Sequence, residues 1–236
     1  ALFSPLLAIA AAGGSAVGCA AAEFAGFDKK QIRSGIYGFN ASLASMTPFV
    51  FFAFSATAIL LAIVGAVGAT FVMRVMQAQR INPYTAPFVL TGWLLYGVGG
   101  WLALDPATFP APPSYPTVAG AITGVGQVIF QSTVLSGLLA IGGIWACSKK
   151  AALFAFGAST LGAALGLLLG EPGYIIASGL FGYSAALCGI AMSDRGVIPA
   201  MSAATLSVFI FVGFRAVGWP ALTAPFVIAT WILRAR

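Results

Sequence analysis

Seven apolar stretches, at 2–22, 49–73, 86–104, 119–146, 151–169, 197–214 and 221–233, follow one another with only short interruptions. A hydrocarbon core of about 30 Å takes roughly 20 apolar residues to cross as a helix. No water is available there to satisfy a bare backbone, so only helices and closed barrels span it. A barrel would be written in short alternating strands, and that alternation is absent. Composition agrees: 60% of the residues are apolar and 7% charged, against about a quarter charged in soluble domains. The chain reads as an all-α, polytopic membrane protein whose first partner is the lipid bilayer.

One box in this chain is written twice. Thr85-Ala-Pro-Phe-Val returns as Thr223-Ala-Pro-Phe-Val, and the stretches 85–95 and 223–233 agree at seven of eleven positions. A second pair supports it, 34–45 (SGIYGFNASLAS) against 178–189 (SGLFGYSAALCG), where Gly35, Gly38, Ala41 and Leu43 recur as Gly179, Gly182, Ala185 and Leu187. At the same offset of 144 residues, Gly13, Ser15 and Gly18 answer Gly157, Ser159 and Gly162. A shared membrane composition explains glycines but not a repeated Thr-Ala-Pro-Phe-Val. Three blocks in one order mark an internal duplication, a habit of transport folds.

The proline-rich stretch 105–117 (DPATFPAPPSYPT) is the expected linker, with a first half at 1–104 and a second at 118–236. The counterpart of the segment 119–146 would precede residue 1. Either the first half lacks its first helix or the sequence begins inside that half, and the second alternative is favoured. Crossings at 2–27, 31–46, 48–73, 83–103, 119–146, 151–169, 174–193, 197–214 and 220–233 put Lys29, Lys30, Arg33, Arg74, Arg80, Lys149, Lys150, Arg195, Arg234 and Arg236 on one side. Arg215 alone falls opposite. The excess of cations assigns the common side to the cytoplasm, and with it the C-terminus. Five crossings lie between the two boxes, an odd number, so the halves are expected to be inverted. Their matched loops agree in sign, FDKKQIR (27–33) being basic and EPGYIIA (171–177) acidic.

The net charge of +6 does not imply a nucleic-acid partner, because the cations sit at segment ends like loop anchors. There is no histidine, which removes the commonest metal ligand and the usual near-neutral proton carrier. Cys19, Cys147 and Cys188 lie in apolar segments without metal-ligand spacing and read as packing residues. Glu23, Asp28, Asp105, Glu171 and Asp194 all lie at or near segment ends. Ion-coupled pumps usually carry acids, bases or histidines inside the membrane. An enzyme is unsupported for the same reason, and no cofactor or metal is expected. A passive path for a small neutral solute fits better.

Two polar, helix-breaking places remain. The Gly-Ile-Tyr-Gly core and short length of 31–46 are expected to form a half-helix with irregular backbone, tolerated at depth where it lines a cavity or is buried in protein. Pro87 and Pro225 remove helix donors and free carbonyls in the preceding turn, and Thr85 and Thr223 stand two residues upstream. A membrane threonine ordinarily bonds a carbonyl of its own helix, but paired repetition at two breaks favours a pore role. Phe39, Leu43, Tyr183 and Leu187 are either ordinary packing residues or the walls of a flat, dry slot. Gln127 is a long neutral amide within 119–146, with interhelical adhesion as its plainer role. The small-residue face Gly162, Gly166 and Gly170 speaks only of close helix packing.

At these residues the chain resembles the urea transporter family, the channel-like urea facilitators of bacteria and vertebrates. The resemblance rests on Gly35-Ile-Tyr-Gly-Phe-Asn-Ala-Ser-Leu, Gly179-Leu-Phe-Gly-Tyr-Ser-Ala-Ala-Leu, both Thr-Ala-Pro-Phe boxes and Gly124-Val-Gly-Gln-Val-Ile-Phe-Gln, and spans essentially the whole chain. It implies a homotrimer with one pore per protomer, each between inverted halves of about five helices plus a re-entrant half-helix. It further implies that Thr85 and Thr223 form the middle of the pore, and that Phe39 with Leu43 and Tyr183 with Leu187 wall it. By the same matching Gln127 and Phe130 lie at one mouth. A bacterial inner membrane is the expected location. Two departures stand out: Pro220 lies three residues before Thr223 whereas Pro83 lies two before Thr85, and Asn40 is answered by Ser184.

The chemistry of such a path is coherent. Urea is planar and neutral, and water lost on entering a narrow pore must be replaced, since an unpaired polar group costs about 1–3 kcal/mol. Hydroxyls and backbone carbonyls replace it, flat apolar walls exclude hydrated ions, and binding stays weak enough for release. The rival readings are a sodium-coupled carrier of a small neutral solute and a non-conducting urea sensor.

Overall fold

The computed structural model describes residues 4–108 and 115–235. It divides into two compact units, residues 1–109 and 110–236. Of the expected linker, residues 109–114 lie outside the described residues, as do Arg236 and the start of the first apolar stretch. Among the described residues no strand forms, and an isolated bridge pairs Phe52 with Pro106.

The first unit is built from α1 (Pro5–Phe24), α2 (Lys29–Arg33), α3 (Ile36–Phe51), α4 (Ala56–Ala78) and α5 (Ala86–Trp101). Their starts are written in the sequence. Ser4 accepts the Leu7 N–H at 3.3 Å with Pro5 just inside the helix, where a proline loses nothing because that N–H has no helical partner. Ser55 caps α4 by accepting the Ala58 N–H at 3.1 Å. α1 packs on α3 and α4, and α3 packs on α4 and α5. The Ser45 hydroxyl donates to the Ala10 carbonyl at 2.7 Å and ties α3 to α1.

The expected half-helix at 31–46 is not what forms. Gly35 takes φ 79° between α2 and α3, and from there α3 runs 16 residues, through Pro48. The second motif glycine, Gly38, is helical and serves contact instead: a Cβ there would lie 2.6 Å from Ser15 Oγ.

The second unit holds α6 (Gly120–Gln127), α7 (Val134–Cys147), α8 (Lys149–Leu168), α9 (Gly173–Ala177), α10 (Tyr183–Ala191), α11 (Val197–Ala216) and α12 (Ala224–Arg234). The segment 119–146, expected to cross once, is a helical hairpin. Fifteen residues of unbroken helix would separate Ile122 and Gly137 by about 22 Å, yet a Cβ on Gly137 would lie 2.2 Å from the Ile122 carbonyl. The chain turns back at 128–133, where Phe130 takes φ 57°. Glycines on both arms permit the approach, and Thr133 caps the returning helix by accepting the Ser136 N–H at 3.2 Å. The first arm of the hairpin, α6, is therefore only eight residues long.

The duplication reappears as duplicated contacts. A Cβ on Gly18 would meet the Cβ of Ala41 at 2.4 Å in the first unit, and one on Gly162 would meet that of Ala185 at 3.1 Å in the second. Gly38 against Ser15 is matched by Gly182 against Ser159, where the Cβ-to-Oγ separation would be 2.4 Å. The sequence offset of 144 thus maps one helix pair, α1 with α3, onto another, α8 with α10. In each pair small residues let two backbones close up, which is how helices associate where lipid offers no hydrophobic drive.

α1, α4, α8 and α11 are each long and apolar enough to cross a membrane, and α7 and α12 are shorter apolar helices. Outward-facing Leu60, Ile63, Val64 and Val75 on α4 are the surface such a helix offers to lipid. Charge stays at helix ends. Arg215, in the last turn of α11, pairs with Glu171 just beyond α8, and its guanidinium lies over the Phe181 ring at 5.8 Å. At the end of α12, Arg234 pairs with Asp194 at 2.9 Å.

The packing yields a direct test. Gly179 combines φ 87° with a position where a Cβ would lie 2.5 Å from the Gly124 backbone nitrogen. Gly179→Ala should cost about 2–4 kcal/mol, from left-handed strain and overpacking together. Gly157→Ala, with nothing within 4 Å, should be neutral or stabilise the helix by up to about 1 kcal/mol. Denaturant unfolding of the two variants in detergent micelles measures the difference.

Candidate functional site

The two copies of the repeated box open two helices in the same way. In the first unit the Ala86 N–H donates to the Pro83 carbonyl at 2.8 Å, Tyr84 adopts φ 45°, and Thr85 precedes α5 with φ −104° and ψ 12°. In the second the Ala224 N–H donates to the Ala221 carbonyl at 3.0 Å, Leu222 adopts φ 45°, and Thr223 precedes α12 with φ −101° and ψ 17°. The different spacing of Pro83 and Pro220 leaves this turn unchanged.

Pro87 and Pro225 occupy the first turns of α5 and α12. They begin helices rather than interrupt them, because a proline's missing N–H is not needed there. The carbonyls four residues upstream, those of Pro83 and Ala221, were expected to be freed by the prolines. They accept from Ala86 and Ala224 instead. A carbonyl has two lone pairs, so each keeps capacity for a second donor.

Thr85 and Thr223 are 2% and 3% exposed, and neither hydroxyl caps its helix. Other threonines follow the ordinary pattern: Thr47, Thr70, Thr123 and Thr160 donate to the carbonyls of Leu43, Ala66, Ala119 and Phe156 at 3.2, 2.9, 3.1 and 2.8 Å. Those four lie inside helices with a turn beneath them. Thr85 and Thr223 stand before the first helical residue, so no turn of their own helix lies upstream to take the hydroxyl.

A non-glycine residue in the left-handed region costs about 1–2 kcal/mol and must be held. Asn40 on α3 does this in the first unit. Its Nδ2 donates to the Tyr84 carbonyl at 3.0 Å, and its Oδ1 accepts the Phe88 N–H at 3.1 Å. Tyr84 and Phe88 are four residues apart, the two groups that a continuing helix would have joined directly. One carboxamide takes the place of that missing rung. In the second unit the Tyr183 hydroxyl donates to the Leu222 carbonyl, and the Tyr183 ring packs edge-on against Phe211 at 5.8 Å.

The remaining candidates divide by unit. Leu43 is buried on α3, one turn beyond Asn40, whereas Phe39 is 48% exposed. Its matched residue Tyr183 is only 6% exposed, so equivalent aromatic positions have different surroundings. Leu187 is half-buried on α10, a turn from Tyr183. Gln127 ends α6 and Phe130 occupies the hairpin turn, which brings the two together. Gln127 Oε1 is buried without a hydrogen-bond partner among the described residues. Sequence reasoning noticed Asn40 only as a departure from its partner Ser184. The signal was present, because Asn40 is one of two asparagines in the chain and lies in an apolar stretch beside a repeated motif.

Neither helix start carries an acid or an amine. Each has a buried threonine hydroxyl beside oriented carbonyls. That equipment suits exchange of hydrogen bonds with a neutral polar solute rather than proton transfer. The family model for urea transporters matches residues 1–235, so the chain belongs to the urea transporter family, whose members carry urea across membranes and are not enzymes.

Proposed function

We propose that urea moves passively through a narrow pore to which two inverted halves, 1–104 and 118–236, both contribute, joined by the linker 105–117. Thr85 and Thr223 line its centre, Phe39, Leu43, Tyr183 and Leu187 wall it, and Gln127 with Phe130 forms one mouth. The working unit is a homotrimer with a pore in each protomer. It sits in the cell membrane, with the C-terminus cytoplasmic. The observation that carries this reading is the pair of buried threonines set before matched helix starts.

Energetics favour the passive reading. Urea loses water on entering and regains hydrogen bonds from hydroxyls and carbonyls that are already oriented, so little reorganisation accompanies transit. The acids stand at or near helix ends, and two of the five are paired with arginines. None of the five is buried, so none is placed within the apolar interior as a proton or sodium carrier.

Urea flux into liposomes carrying the purified protein should follow the urea gradient and ignore imposed proton or sodium gradients. Stopped-flow light scattering measures it, and uphill accumulation driven by either ion would overturn passivity in favour of a coupled carrier. Thr85→Val and Thr223→Val delete a hydroxyl while keeping shape. Loss of a bond worth about 1–2 kcal/mol slows flux about five- to thirtyfold if that step limits transit. Thr→Ser at either site should retain much more. Parental flux per folded protein in both valine variants would make the threonines structural.

The hairpin at 119–146 takes away one of the five crossings counted between the boxes, so inversion rests on the opposite charge of the matched stretches 27–33 and 171–177 and has its own test. Lys30 and Tyr174 are exposed on the matched short helices α2 and α9. Single cysteines there, in a background without Cys19, Cys147 and Cys188, should label from opposite faces of sealed vesicles. Labelling of both from one face would refute the inverted arrangement.

A further inference from the structure

The two helix starts share a turn but not the side chain that holds it. Asn40 aligns with Ser184, and Tyr183 aligns with Phe39. Yet the residues that grip the left-handed carbonyl are Asn40 in the first unit and Tyr183 in the second. The task has moved by one position along the matched helix. One position is about 100° around a helix, so the new residue approaches from a different angle, and the longer tyrosine makes up the distance. Ser184, in the place of Asn40, is buried with a hydroxyl that has no partner among the described residues. Phe39, in the place of Tyr183, has no polar atom with which to hold anything.

We propose that Asn40 and Tyr183 are positioning residues for urea transport, each setting the threonine that follows the carbonyl it grips. This rests on the reading that Thr85 and Thr223 meet the solute. The carbonyls of Tyr84 and Leu222 belong to the peptide units that lead directly into Thr85 and Thr223. A peptide unit is planar, so fixing its carbonyl fixes the plane from which the threonine Cα departs. Asn40 restrains a second point as well, the Phe88 N–H three residues later. Thr85 is thereby held between two bonds from one carboxamide. Thr223 is positioned through its upstream carbonyl by Tyr183.

A group that acts through a threonine has no further effect once the threonine hydroxyl is gone. The experiment is therefore a pair of double-mutant cycles in liposome-reconstituted full-length protein, with urea flux normalised to folded protein. Tyr183→Phe removes one oxygen from a ring whose packing is retained, and should lower flux about three- to tenfold. In a Thr223→Val background the same change should lower it no further. Asn40→Leu should behave likewise toward Thr85→Val. If Asn40→Leu does not fold, the Tyr183 cycle decides alone.

A structural role would reduce the yield of folded protein while leaving flux per folded molecule unchanged. Parental flux in Tyr183→Phe, or an equal loss with and without the Thr223 hydroxyl, overturns positioning while leaving the threonine reading intact. Parental flux in both Thr→Val variants brings down the threonine reading itself, and positioning with it.

Discussion

A backbone N–H or C=O without a partner is costly wherever water cannot reach it, and most of this structure can be understood as avoiding that cost. Regular helix avoids it automatically. Every departure from helix needs a repair, and the repairs carry the polar residues of an otherwise apolar chain. Asn40 restores a missing rung before α5, and Tyr183 takes up a carbonyl before α12. Thr123 on α6 donates to the Ala177 carbonyl at 2.8 Å, where α9 ends. Between α3 and α4 the Ala53 N–H reaches the Asp105 carbonyl at 2.8 Å. Thr85 and Thr223 each stand beside one of these repairs, because an interrupted helix is where oriented polar groups become available.

Much of this was legible in the sequence. Membrane insertion followed from the long apolar runs, and the duplication from five repeated letters and a constant offset that returns as Gly18 against Ala41 and Gly162 against Ala185. The hairpin at 119–146 was not legible from hydropathy, because a window average has no sense of chain direction. Val128, Ile129 and Phe130 are as apolar as the helices they separate. Better indicators were the cluster Gln127, Gln131, Ser132 and Thr133 and the glycines on either side of it. The motif glycines misled in the opposite sense: Gly35 bends the chain, but Gly38 is there for its lack of a Cβ. Letters alone do not distinguish a glycine that turns from one that only makes room.

Contacts between small residues match position for position in the two units, because close backbone approach allows little variation. Side chains that complete hydrogen bonds are less constrained in position, since a carbonyl accepts from an amide or a phenol arriving from different directions. That is why the candidate threonines and prolines recur unchanged while their supports, Asn40 and Tyr183, do not match position for position. An alignment of the halves would pair Asn40 with Ser184 and overlook that Tyr183 holds the equivalent carbonyl.

The chain distance across these supports has a consequence for biosynthesis. Asn40 precedes Tyr84 by 44 residues, and Tyr183 precedes Leu222 by 39. A ribosome builds from the N-terminus, so each supporting side chain emerges before the turn it will hold. When the left-handed residue leaves the insertion machinery, its partner is already on a helix made earlier. Neither half has to keep an open carbonyl in lipid while waiting for residues still to be translated.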